Sequence, residues 1–309
     1  MTRSSQNVRV RVKTCCKINL FLDVLGRRPD GYHDIRSVMQ SLELGDDLVI
    51  TSLDPASSTG RAVDLEVTGY SVPADRSNLA VRAAELVLQA CGVKGALRMR
   101  LCKRIPVASG LAGGSSDAAG TIVGLNALFG LGLSQRDMEE LGSRLGSDVP
   151  FCIRCGTAKV EGVGDRLTQL PSPSSLWVVL LVPQIAVPTA EVYRLFDSWN
   201  VPRCVGADID DIEQAIKAGD IAGIAASVYN VFYPIVSSIH PVVSQAVDFL
   251  LRAGALGAMM SGSGPSVFGI VSGESEARRI AQSAAKAFGS CFVTYTKASS
   301  GMLLERECD

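Results

Sequence analysis

Lys17 is placed where a lysine is costly. The stretch CCKINLFLDVLG, residues 15–26, is almost continuously apolar, and Lys17 and Asn19 interrupt it two residues apart. In a strand that spacing puts both side chains on one face. A buried ammonium needs an anionic partner. Two readings therefore stand: an edge-strand lysine whose stem runs to water, or a charge kept for chemistry on an anion. Asp148, in GSDVPF, is a carboxylate in an otherwise apolar turn. It is either a turn residue or the acceptor of a proton from a reacting hydroxyl. Tyr32 and His33 close the turn RRPDGYH. They are structural there, or they offer a ring face and a ring nitrogen to a ligand base.

Residues 105–125, IPVASGLAGGSSDAAGTIVGL, give way from proline and glycine to a small-residue apolar repeat. Gly110, Gly113 and Gly114 permit close approach of a ligand to backbone. Ser115, Ser116 and Asp117 are cap-type residues, and Ala118, Ala119, Ile122, Val123 and Leu125 supply a packing face. A glycine loop at a helix start suits a phosphate, and a plain turn before a core helix is the alternative. The stretch is neither a Walker A loop, since no Gly-Lys pair occurs in the chain, nor a G-x-G-x-x-G fingerprint. A second glycine loop, MSGSGPS at 260–266, runs directly into a strand pattern.

The elements that must position these residues follow from periodicity. Val8, Val10 and Val12 alternate with basic residues as a half-buried strand that runs on through residue 26. Strands are expected at 33–44, 48–52, 63–68, 97–105, 157–163, 176–182 and 291–298. Helices are expected at 78–92, at 134–146 with Asp137 completing a capping box, and at 189–196, 209–218, 221–231, 241–253 and 274–288. The acidic run DIDD at 208–211 reads as a charged first helical turn. PSPSS at 171–175 is the best linker signal. The expectation is an α/β (α+β) chain in two parts, 1–165 and 166–309, with the glycine loop and its helix in the first.

The 309 residues are 47% hydrophobic and 20% charged with a net charge of −1, which suits a globular chain and argues against a nucleic-acid or anionic-membrane footprint. Nine cysteines and two histidines make zinc improbable; Cys152 and Cys155 read as buried thiols. Without a signal-like or membrane-length apolar run, a cytoplasmic location is expected.

KINLFL, PVASGLAGGSSDAAG and MSGSGPSVFG together resemble the three signature motifs of the GHMP kinases, and DGYH with GSDVPF resembles the branch acting on a cytidine-diphosphate-linked polyol of isoprenoid synthesis. The resemblance spans about residues 12–270 in five ordered blocks. It implies the two-domain GHMP architecture, ATP and Mg²⁺ as cofactors, a small-molecule substrate, and a monomer or weak homodimer. It implies Lys17 and Asp148 as the catalytic pair. Pro106, Val107, Ala108, Ser109, Gly110, Leu111, Ala112, Gly113, Gly114, Ser115 and Ser116 match its ATP phosphate loop. Asn19, Tyr32, His33 and Tyr193 match substrate contacts, with the cytosine between Tyr193 and the tyrosine of GYH. No metal ligand carries over; Ser115, Ser116 and Asp117 are candidates only. Cys15-Cys16 replace the family's Pro-Ala, Ser109 replaces a smaller residue, and YNVFYP at 229–234 lacks the usual acidic neighbours and is assigned no role. Another GHMP kinase, for mevalonate, homoserine or a sugar, and a silent nucleotide sensor are the competing readings. A serine hydrolase fails for want of G-x-S-x-G.

Overall fold

The valine alternation ends at Lys13, and the apolar run beyond it is a separate strand in a different sheet. The computed structural model describes residues 8–53, 62–173, 176–199, 207–288, 290–296 and 302–308. The first elements are β1 (Val8–Lys13), β2 (Cys16–Arg27), β3 (His33–Leu42), β4 (Asp47–Leu53), β5 (Val63–Gly69), α1 (Leu79–Ala90), β6 (Ala96–Lys103) and α2 (Gly113–Phe129). Then follow α3 (Gln135–Ser143), α4 (Val149–Arg154), β7 (Thr157–Gly162), β8 (Arg166–Leu170), β9 (Trp177–Val182), α5 (Thr189–Ser198), α6 (Ile209–Ala218) and α7 (Ile221–Ala226). The last are β10 (Tyr229–Asn230), α8 (Tyr233–Ile239), α9 (Pro241–Arg252), β11 (Gly257–Met260), β12 (Val267–Val271), α10 (Glu274–Phe288), β13 (Ser290–Tyr295) and β14 (Leu303–Cys308).

Three sheets result, ordered β14-β1-β4-β6-β5, β10-β2-β3-β7-β8 and β11-β12-β9-β13. Val10, Val12, Ile50, Met99 and Leu101 of the first sheet pack against Ala83, Ala84 and Val87 of α1 and Ala119 and Ile122 of α2. Gly120 and Gly124 let α2 lie close: an added Cβ would sit 2.8 Å from Thr14 Cγ2 or Ile50 Cδ1. Ile18, Leu20 and Phe21 of β2 instead share a core with Val178 and Leu180 of β9 and Ile212 of α6. β2 thus carries Lys17 between the two halves of the molecule.

Several expectations are corrected. Ser115, Ser116 and Asp117 do not cap α2, because Ala112 at φ 59° already starts the helix and no side chain caps it. The amides of its first turn are therefore left for a ligand. Asp148 heads α4 with Pro150 in the first turn, so GSDVPF is a helix start. The expected helix 221–231 stops at Ala226, where Ser227 turns its hydroxyl back to the Gly223 carbonyl, and Tyr229–Asn230 pair in parallel with Phe21–Leu22 instead. Sequence periodicity also missed α8, β8, which pairs with β7, and β14, which returns the end of the chain to β1. The capping box of Ser134 and Asp137 is present, as are the three carboxylates of DIDD around the start of α6. The linker signal and the expected strand 291–298 extend partly outside the described residues. No single described helix is long and apolar enough to cross a membrane.

Candidate active site

β2 and α4 bring the first pair together. Lys17 Nζ lies 3.5 Å from Asp148 Oδ2, with the lysine side chain 5% exposed and the carboxylate 29%. The snorkelling alternative fails, since Lys17 is buried and its ammonium donates to Asn19 Oδ1 at 2.8 Å. Asn19 Nδ2 in turn donates to Ser37 Oγ, which donates to the Phe21 carbonyl. This relay fixes the amide so that its oxygen faces Lys17. The result is an ammonium held from below and a carboxylate open to solvent from above, a pairing able to accept a proton and to stabilise anionic charge beside it.

The glycine loop packs against this pair. The Lys17 amide donates to the Leu111 carbonyl, and Ser116 Oγ both donates to the Cys15 carbonyl and accepts from the Cys15 amide. Leu111 and Ser116 are thus fully buried fasteners, and neither lines the cleft. The second glycine loop closes from the far side, with the Ser266 amide on the Ser109 carbonyl and Ser261 Oγ on the Gly110 carbonyl. Asn230 holds that loop: its Nδ2 donates to the Met260 and Gly262 carbonyls, and its Oδ1 accepts from the Phe232 amide. YNVFYP therefore has a role after all, structural and unmarked by charge.

Beneath the loop lies a buried ion cluster that sequence reasoning missed. Lys103 Nζ sits 2.5 Å from Asp46 Oδ2 and 2.8 Å from Asp117 Oδ2. The other Asp46 oxygen accepts from the Arg104 and Ile105 amides, which lead into the loop. Burial pulls the Lys103 ammonium down, but Asp117 and Asp46 outweigh it and hold its titration above the usual lysine value. Two carboxylates share this one ammonium, and burial pushes Asp117 well up despite Lys103. Asp117 Oδ1 is buried without a partner among the described residues.

At the rim, His33 Nε2 bonds Asp197 Oδ1 at 2.7 Å. The His33 and Tyr193 rings lie 4.7 Å apart and tilted by 37°, and Phe232 meets Tyr193 edge-on. Burial, with Asp148 adding, pushes Tyr193 up to about 12. Tyr32 is 68% exposed. These residues and the loop line one cleft of about 1400 Å³ that includes Lys17, Asn19, Pro106, Val107, Ala108, Ser109, Ala112, Ser115 and Asp148. The cleft thus gathers the first-turn amides of α2, buried cations, a carboxylate and aromatic rings, a set suited to phosphoryl transfer.

Comparisons with known proteins fit that geometry. Residues 78–156 match the GHMP kinases N terminal domain and residues 212–290 the GHMP kinases C terminal domain. The chain belongs to the GHMP kinase family, whose members use ATP as phosphate donor, and it has the family's two-domain α/β fold. Among its relatives, 4-diphosphocytidyl-2-C-methyl-D-erythritol kinase of Symbiobacterium thermophilum is 46% identical over 85% of this chain and 90% of its own. The enzyme of that name from Bacillus cytotoxicus is 41% identical over 88% and 92%. The crystal structure of a 4-(cytidine 5'-diphospho)-2C-methyl-D-erythritol kinase superposes with a TM-score of 0.76, at 32% identity, over 94% of this chain and all of that one. A homoserine kinase from Cytophaga hutchinsonii, 18% identical with a TM-score of 0.74, shares the fold.

Proposed function

We propose that this chain transfers the γ-phosphoryl of ATP to the 2-hydroxyl of 4-diphosphocytidyl-2-C-methyl-D-erythritol, a step of the non-mevalonate route to isopentenyl diphosphate. The observation that carries the reading is one cleft joining the Lys17–Asp148 pair to an uncapped helix start and to a His–Tyr cluster. It is supported by the names of relatives that match most of the chain. In this reading residues 1–165 carry the phosphate loop and 166–309 close over the substrate. The enzyme works in the cytoplasm on a small molecule, without nucleic acid or membrane, as a monomer or weak homodimer.

The tertiary hydroxyl is a weak nucleophile, so placement and a proton acceptor decide the rate. Its oxygen attacks the γ-phosphorus in line, the bond from that phosphorus to the bridging oxygen breaks, and ADP leaves. Asp148 takes the hydroxyl proton. Lys17 faces both Asp148 and the charge on the transferring group, and Asn19 keeps its ammonium aimed. The first-turn amides of α2 cradle the triphosphate. Tyr32, His33 and Tyr193 receive the cytosine.

Mg²⁺ fits this site in a limited sense. No cluster of three or more His, Cys, Asp or Glu side chains exists among the described residues; Ser116 is committed to Cys15, and Asp117 gives one oxygen to Lys103 while its Oδ1 has no partner. Ser115, which lines the cleft, is left as the hydroxyl that would hold a cation carried by the triphosphate and water, as Mg²⁺ commonly is. When bound it would neutralise phosphate charge.

Coupled ADP release with ATP, Mg²⁺ and this substrate tests the reading. Wild type turns over, and Asp148→Asn loses about 10²–10⁴-fold in kcat. Turnover with mevalonate or homoserine in its place sinks the substrate assignment; an undiminished Asp148→Asn sinks the proton acceptor.

A further inference from the structure

No motif marks Asp197, yet it orients His33. It lies on the last turn of α5, where one carboxylate oxygen is 2.7 Å from His33 Nε2 and the other 3.6 Å from Arg27 Nη1. The His33 side chain is 8% exposed and that of Asp197 28%, so the contact is partly shielded from water. An ionised carboxylate only accepts hydrogen bonds. Its position opposite Nε2 therefore puts the proton of a neutral imidazole on that nitrogen and leaves Nδ1 as a lone-pair acceptor. Nδ1 has no hydrogen bond among the described residues. The Tyr193 ring against His33, itself backed by Phe232, restrains the imidazole.

We propose that Asp197 is a positioning residue that makes His33 an acceptor for the exocyclic amino group of cytosine, so that the cleft discriminates a cytidine diphosphate ligand from its uridine counterpart. Cytosine presents an amino donor at C4, where uracil presents a carbonyl oxygen. An imidazole with its proton fixed on Nε2 bonds the first and meets the second lone pair to lone pair. Arg27, whose Nη1 lies 3.6 Å from the remaining carboxylate oxygen, adds an ion pair at the end of β2. The inference rests on the cytidine reading of this site.

Asp197→Asn is the informative change. The Arg27 cation, 3.6 Å from the second carboxylate oxygen, favours the asparagine carbonyl on its side and so turns the NH₂ toward His33. Nε2 must then accept, and Nδ1 becomes the donor. The experiment is calorimetric titration of the full chain with CDP and with UDP, for wild type, Asp197→Asn, Asp197→Glu and Asp197→Ala, with thermal melting of each. Wild type is expected to prefer CDP by about tenfold or more. Asp197→Asn lowers that ratio at least ~10-fold, Asp197→Ala brings it toward one, and Asp197→Glu restores it. In turnover assays Asp197→Asn raises KM for the cytidine substrate while kcat is largely kept. A CDP/UDP ratio unmoved in both Asp197→Asn and Asp197→Ala overturns the inference and leaves the cytidine reading intact. A wild type that binds CDP and UDP equally overturns both.

Discussion

Lys103 shows how much can hang on one side chain beneath the phosphate loop. It is 3% exposed, between Asp46 at 0% and Asp117 at 2%. Removing one member of a buried ionic set leaves charges without compensation, at a cost of about 3–5 kcal/mol. Lys103→Met strands two carboxylates at once, beneath the point where Asp46 anchors the Arg104 and Ile105 amides. The expected outcome is a loss of about that size in a denaturant titration and, in the folded fraction, a raised KM for ATP because the loop is no longer tethered. Wild-type stability in this variant would mean that the cluster is not a structural anchor. The sequence carried a signal for it. Leu97, Met99 and Leu101 are the inward register of β6, and Lys103 continues that register, whereas Arg98 and Arg100 take the outward one. Lys17 is easier to see because the residues on either side of it, Cys16 and Ile18, and most of its strand are apolar; Asp197 is invisible, since only folding brings α5 to the end of β2.

Among the elements, the two glycine loops act as a single device. Gly110 has φ +79°, and a Cβ there would stand 2.5 Å from the Ser261 carbonyl oxygen and 2.9 Å from that of Gly264. Both contacts are backbone, which cannot swing aside as a side chain end can. Gly110→Ala therefore has to part the loops, and with them the Ser266–Ser109 and Ser261–Gly110 hydrogen bonds. The expected result is a loss of about 1–3 kcal/mol in thermal or denaturant unfolding and a larger fall in kcat/KM for ATP than the stability loss alone explains. Unchanged kinetics would show that the loops move independently. The glycines themselves were legible, as were most long helices. What was not legible lay where local preference loses to pairing. Residues 228–231 keep an apolar helical rhythm but are drawn out beside β2, and Ser115–Asp117 look like caps though an Ala in the left-handed region performs the start.

For the whole molecule, the buried titratable groups predict how the fold answers alkali. Burial pushes the thiols of Cys16 and Cys152 well up, Cys291 up to about 11, and Tyr193 up to about 12. In an unfolded chain thiols titrate near about 8.5 and tyrosines near about 10. Between those values and the raised folded ones, the folded state keeps protons that the unfolded state has released, so stability falls as pH rises. Lys103, also raised, adds in the same sense: its contribution is complete below about pH 10 and lost above its folded value. These groups sit on β2, α4, β13, α5 and β6, so the loosening is spread across both halves. Melting temperatures in reductant should hold near neutral pH and decline steadily from about pH 8.5 upward. Cys152→Ala, which removes one fully buried thiol, should give a shallower decline even though its cavity lowers the starting value. A flat profile to pH 10 would mean that these thiols titrate in the folded state as freely as in the unfolded one, and hence that the contact between β2 and α4, which carries Lys17 and Asp148, is open to water.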